Sequence, residues 1–234
     1  MEEAHDSDTS PAARRHSRRA WYLLVSLMLM IFLPPFLHGG GIGVIILRGL
    51  NLVLLLASAR AAITSRRELI AIGGLLTFTA VMLVAHWQTD DLWVVYGFLA
   101  GSVAFFLAVA ITLLIDLFRP ATSVTVSAIV GATSVYLLLG LIWALAYAIL
   151  EFTNPGSFSV QSSVDLSGLD GPGHYQRFIG FSFITLTTLG YGHISPANLQ
   201  ADALTSAEAI VGQFYIAVVV ARLVALQLVE STRK

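Results

Sequence analysis

The chain has 234 residues, of which 56% are hydrophobic and only 12% charged, with a mean hydropathy of +0.80; an ordinary soluble domain carries about 25% charged residues, so a soluble globular reading is excluded. A formal charge of -1 and a pI near 6.6 leave no global field to attract nucleic acid. The absence of cysteine removes disulfides, thiolate catalysis and sulfur-rich metal sites, and says nothing of compartment.

The chain opens with MEEAHDSDTSPAARRHSRRA, acids first and Arg14, Arg15, Arg18 and Arg19 after them, and residues 1–19 are expected to form a disordered cytoplasmic tail. A secretory signal is the competing reading, but the polar lead is long and FLPPFLHGG offers no small-x-small cleavage site. Six apolar runs follow, at 20–37, 42–60, 68–87, 92–118, 121–151 and 203–229. Each is near or above the roughly 20 residues that carry a helix across the hydrocarbon core. Helices are the predicted spanning element because an open strand or loop would leave backbone N–H and C=O groups unpaired in lipid. The first two runs are separated by little more than HGGG and form a tight hairpin, with Pro34-Pro35 bending or ending the first helix. The fold class is therefore predicted as an all-α integral membrane protein with six transmembrane helices.

Orientation follows from the basic residues, because cytoplasmic flanks carry the Lys/Arg excess. Arg14 to Arg19 precede run one, Arg60, Arg66 and Arg67 lie between runs two and three, Arg119 lies between four and five, and Arg233 and Lys234 follow run six. An even number of spans with both termini in the cytoplasm puts all of these on one side. The opposite side receives HGGG, HWQTDD and residues 152–202, where Arg177 is the only basic residue.

Between runs five and six the pattern breaks. Residues 152–173, FTNPGSFSVQSSVDLSGLDGPG, read as an outer loop without a definite element. Next, 174–187 is too short to span and ends in hydroxyls, which predicts a re-entrant half-helix; such backbone is tolerated at membrane depth only in protein or beside a water-filled cavity. Its C-terminal end would present the partial negative end of the helix dipole to a cation. After it, Thr188, Leu189, Gly190 and Tyr191 could offer successive carbonyl oxygens, with the Thr188 hydroxyl, in place of an ion's hydration shell. Gly190 and Gly192 permit the φ values this needs. Leu189 and Tyr191 are expected to pack outward against the half-helix.

The stretch TLGYG at 188–192, preceded by Thr185 and Thr187 and followed by ISP at 194–196, resembles the selectivity filter of the tetrameric potassium channel family. The resemblance implies a homotetramer in which four loops meet on an axis and hold K+ at the carbonyl oxygens of Thr188, Leu189, Gly190 and Tyr191. K+ is then the permeant ligand and no cofactor is expected. It further implies a pore domain over 119–234, with outer helix 121–151, pore helix 174–187, filter 188–192 and inner helix 203–229. Gly212 matches the family's inner-helix glycine, and either a hinge or close packing accounts for it. Gln213, at the same depth, faces the cavity or a neighbouring helix.

Residues 20–118 form a four-helix domain where related channels carry a voltage sensor, but the fourth run contains no basic residue, so voltage sensing by moving arginines is not expected. Arg48 in the second run is explained by an ion pair or by snorkelling. Arg222 suits lipid headgroups or gating equally. The chain is thus similar to bacterial six-helix members that lack a charged fourth helix, which implies the bacterial plasma membrane. A regulator, if there is one, is expected to be a separate polypeptide.

One position departs from the family. Most members have Asp after GYG, bonded to the pore helix; here it is His193, and the partner positions correspond to Gly180 and Ile184, which offer no side-chain hydrogen bond. A looser filter is expected. Protonated His193 would place positive charges at the outer mouth and reduce cation current in acid, as in acid-sensitive two-pore-domain relatives with His after GYG. Packing against Tyr191 or Phe181 is the other role open to it.

The alternatives are a weakly selective monovalent cation channel, and a non-conducting scaffold or transporter subunit. No internal repeat of the transporter kind is present. Glu151, Asp165, Asp170, His174, Asp202 and Glu208 form no recognised ligand set, so the chain is not read as an enzyme; outer-loop or vestibule electrostatics is their expected role, and Asp202 is expected to cap the sixth helix.

Overall fold

The structure, a computed structural model, describes residues 11–37, 41–89, 91–119, 126–161 and 175–232. The predicted tail before residue 11, residues 38–40 of the HGGG turn and residues 162–174 of the outer loop, with Asp165, Asp170 and His174, lie outside the described residues.

Among the described residues seven α-helices run in the order α1 (Pro11–Phe32), α2 (Gly41–Ala62), α3 (Arg66–His86), α4 (Leu92–Leu117), α5 (Val126–Thr153), α6 (Tyr175–Leu186) and α7 (Leu199–Thr232). Five of them, α2, α3, α4, α5 and α7, are long and apolar enough to cross a membrane. Helix α1 begins at Pro11 rather than Ala20, so the Arg14–Arg19 cluster lies on the helix instead of in a disordered tail. Its apolar part is short, because Pro34 and Pro35 divert the chain into a single 3-10 turn, Pro34–Phe36.

Helix ends are set by local chemistry. Ser65 and Glu68 form a capping box at the start of α3, the Ser65 N–H donating to Glu68 Oε2 at 2.7 Å and Ser65 Oγ accepting from the Glu68 N–H at 3.3 Å. Asp91 caps α4 through the Trp93 N–H at 3.0 Å. At α7 the cap is Asn198, whose Oδ1 accepts from the Ala201 N–H at 2.9 Å. The expectation that Asp202 does this is corrected: it already lies in the helix's first turn, where its charge suits the dipole but its side chain is past the capping position.

Helix α5 is the centre of the assembly. It packs against α1, α4, α6 and α7, and α3 lies on the far side of α4. The buried interior includes Leu27 of α1, Leu54 of α2, Phe105 of α4, Leu138 and Ala144 of α5, and Phe178 of α6. Arg48 places its guanidinium 5.3 Å from the centroid of the Trp87 ring at the end of α3, a cation–π contact.

Two short strands depart from the all-helical expectation. β1 (Phe158–Val160) follows α5, and β2 (Ile194–Pro196) follows the TLGYG segment; they pair antiparallel, with Ser159 opposite Ser195. The outer loop therefore carries a definite element. Its pairing was invisible in sequence because three residues give too short a run for a period-two pattern.

Candidate functional site: the loop after the short helix

Helix α6 has 12 residues, about 18 Å of rise, too short to cross a bilayer. It runs alongside α7 in the same direction, since Ser182 meets Glu208 and, one turn on, Leu186 meets Gly212. Phe183 fills the space over Gly140 of α5; a Cβ there would stand 2.5 Å from the ring. Phe178 and Phe181 join Tyr147 and Phe158 in an aromatic cluster with ring centroids 5.0 to 6.2 Å apart.

The end of α6 determines the loop. The Thr188 N–H donates to the Thr185 carbonyl and the Leu189 N–H to the Ile184 carbonyl, both at 2.9 Å, the paired bonds of a Schellman motif. The Gly190 N–H also reaches Ile184, at 3.4 Å. A Schellman motif needs a left-handed residue, usually glycine, and here it is Thr188 with φ +59. Gly190 at +63 and Gly192 at +77 continue the pattern, while Leu189 and Tyr191 between them have no positive φ. Alternation of right- and left-handed residues aligns successive peptide groups, N–H on one face and C=O on the other. Here the N–H face of 188–190 is taken up by α6, which leaves the carbonyl face of these residues for something else. Thr185 Oγ1 is committed to the Phe181 carbonyl at 3.0 Å and Thr187 Oγ1 to Phe183 at 2.6 Å; Thr188 Oγ1 donates to the Thr187 carbonyl at 2.7 Å, which leaves its lone pairs open.

Leu189 and Tyr191 do not pack against α6 as expected. They are 55% and 63% exposed, and Tyr191 stacks on His193 with ring centroids 5.8 Å apart and planes inclined by 25°. Helix α6 turns its buried face to α5 and α7 instead. Gln213 is exposed and Gly212 buried on α7.

His193, Gly180 and Ile184 make no side-chain clamp in the described contacts, but the loop's exit is held in another way. The His193 carbonyl accepts from the Gln161 N–H at 2.9 Å, the β1–β2 ladder follows, and the Ala197 N–H donates to the Ser157 carbonyl at 2.8 Å. Asn198 donates to Ser157 Oγ at 2.9 Å. Glu151, placed by sequence among vestibule charges, instead accepts from the N–H groups of Gly156 and Phe158, each at 3.1 Å, and lies 3.9 Å from Arg177 of α6. It anchors β1 to α5 and α6.

Further polar contacts join the three helices. Tyr136 of α5 donates to the Leu186 carbonyl at 3.3 Å, Tyr215 of α7 donates to the Ala132 carbonyl at 2.6 Å, and their rings lie 5.8 Å apart. Glu208 is wholly buried between Ser182 and Tyr147, not in an outer vestibule. Sequence reasoning missed Tyr136, Tyr147 and Ser182, since nothing local marks an apolar-run hydroxyl as a partner. At the other end, Arg222 Nη2 donates to the Arg119 carbonyl at 2.8 Å, and its guanidinium lies 5.0 Å from the Phe118 ring centroid.

A family model described as ion channel matches residues 166–227, a stretch that takes in α6, the loop, β2 and most of α7. No curated protein and no solved structure gives a significant match to the chain. Proteins of the matching family conduct ions and are not enzymes. With five long apolar helices among its described residues the chain is an integral membrane protein, and its C-terminal part is similar to ion channels.

Proposed function

We propose that the chain forms a homotetrameric potassium channel, each copy contributing the 188–192 loop to a shared selectivity filter. The carrying observation is the alternation of left-handed Thr188, Gly190 and Gly192, with the Leu189 and Gly190 N–H groups drawn back to Ile184. A row of carbonyls facing away from α6 suits a dehydrated monovalent cation, with K+ at the oxygens of Thr188, Leu189, Gly190 and Tyr191. Further copies are called for because irregular backbone at membrane depth must be covered by protein or line a cavity. The exposure of Leu189 and Tyr191 in one chain supports that requirement. Helices α5, α6 and α7 make the pore domain, and α1 to α4 the peripheral one. Both termini are assigned to the cytoplasm of a bacterial plasma membrane, with α1 making a sixth crossing beside the five long helices; the Arg222 contact supports this orientation by putting Arg119 and the C-terminal half of α7 at one end.

The test is the reversal potential of purified protein in a planar bilayer under opposing K+ and Na+ gradients. A value close to the K+ equilibrium potential, lost in Gly190→Ala, is the expected result. Purified tetramers that pass no current, or current without K+ preference, would overturn it. A weakly selective cation channel is the second reading, favoured by His193, Gly180 and Ile184 where a side-chain clamp is usual. The β1–β2 ladder argues against it, because it restrains the same backbone by other means.

A further inference from the structure

Glu208 is the only acidic or basic side chain among the described residues that is wholly buried. It sits on α7 one turn before Gly212, where that helix presses against the end of α6. Its two carboxyl oxygens have different partners: Oε1 meets Ser182 Oγ of α6, and Oε2 meets the Tyr147 hydroxyl of α5, both partners also at 0% exposure. Ser182 Oγ lies in addition 2.7 Å from the Gly140 carbonyl oxygen of α5. No basic side chain is among these partners.

Hydrogen counting defines what the node requires. There are three contacts, to Tyr147, to Ser182 and from Ser182 to Gly140, and each needs one hydrogen. The two hydroxyls supply two. The third comes from a carboxylic acid group: Ser182 donates to Gly140 and accepts from Glu208, while Tyr147 donates to the other carboxyl oxygen. A carboxylate would leave Ser182 with one hydrogen for two acceptors in a site closed to water, a costly arrangement.

The node lies two residues before Ile184, whose carbonyl receives the Leu189 and Gly190 N–H groups. Displacement of α6 at Ser182 is therefore passed to the backbone that holds the carbonyl row. We infer that Glu208 is a positioning residue for ion selection, a hydrogen-bonding strut that donates to Ser182 and accepts from Tyr147 and so fixes α6 between α5 and α7. It takes over from behind the loop the restraint that His193, Gly180 and Ile184 do not supply in front. The inference rests on the channel reading above.

The test compares K+/Na+ permeability ratios, from bi-ionic reversal potentials in planar bilayers, for wild type, Glu208→Gln, Glu208→Leu, Ser182→Ala and Tyr147→Phe, with the melting temperature of each tetramer measured alongside. Glutamine has an amide N–H for Ser182 and an oxygen for Tyr147, so Glu208→Gln is expected to keep the wild-type ratio. Leucine fills the space and leaves both hydroxyls unpaired, and a fall of about tenfold is expected. The two hydroxyl deletions should lower the ratio by roughly two- to threefold each. A Glu208→Leu tetramer that melts earlier with an unchanged ratio would show a merely structural role and overturn the inference. A Glu208→Gln ratio as low as that of Glu208→Leu would overturn the hydrogen assignment. Where Glu208→Leu gives no stable tetramer, unchanged ratios in both Ser182→Ala and Tyr147→Phe would overturn it instead. A wild type without K+ preference would sink the channel reading itself, before any variant is compared.

Discussion

Gly212 of α7 lies so close to Leu186 of α6 that a Cβ on the glycine would stand 2.7 Å from the Leu186 carbonyl oxygen and 2.8 Å from its Cδ1. The close approach explains the glycine without a hinge. It also joins the midpart of the long helix to the residue from which the loop departs.

Gly212→Ala is accordingly expected to destabilise the protein by about 1–3 kcal/mol, because the obstructing atom is backbone and cannot rotate away. Thermal unfolding of the detergent-solubilised protein measures this. A variant that melts with the wild type would restore the hinge explanation.

Thr188 occupies the left-handed position of the Schellman motif with φ +59, an unfavourable conformation for a β-branched residue at roughly 1–2 kcal/mol. Thr188→Gly relieves that cost, partly offset by the greater freedom of glycine in the unfolded chain. The variant should melt no earlier than wild type, yet discriminate less well between K+ and Na+, because the proposed filter loses the Thr188 hydroxyl oxygen. Undiminished selectivity in bilayer recordings would show that Thr188 is tolerated there rather than used.

Phe158 is 7% exposed and packs on Tyr147, Phe178 and Phe181, with its backbone paired to β2. Phe158→Ala should cost about 3 kcal/mol through the cavity it leaves. Since β1 restrains the exit of the loop, K+ current in this variant should also decay faster during a sustained voltage step. Loss of stability with steady current would confine the ribbon to a folding role.

His193 stacks on Tyr191 and its ring is exposed. In the proposed tetramer four imidazolium groups around one mouth would repel cations, so the sign is a fall in inward K+ current as external pH drops from about 8 to about 5.5. His193→Asn should remove the response. An equal response in the variant would assign acid sensitivity to another group, and a flat wild-type profile would leave the ring a packing role only.

The sequence by itself determined the membrane class, five of the spans, the short helix before TLGYG and the need for glycine at 190 and 192. These are legible because apolar run length, helix period and left-handed φ are properties of contiguous residues. The rest depended on which distant segments meet. β1 and β2 pair across a separation no local pattern spans. Arg48 finds Trp87, and Glu151 the start of β1. An acid at position 208 looks like a vestibule charge until the fold encloses it. The sequence suggests Asp202 as the cap, and only the point at which α7 begins gives that place to Asn198. Gly212 is one more small residue in an apolar helix until α6 is laid across it. Burial and the identity of a hydrogen-bond partner are non-local quantities, set when α6 is lodged between α5 and α7, and the tertiary structure alone decided them.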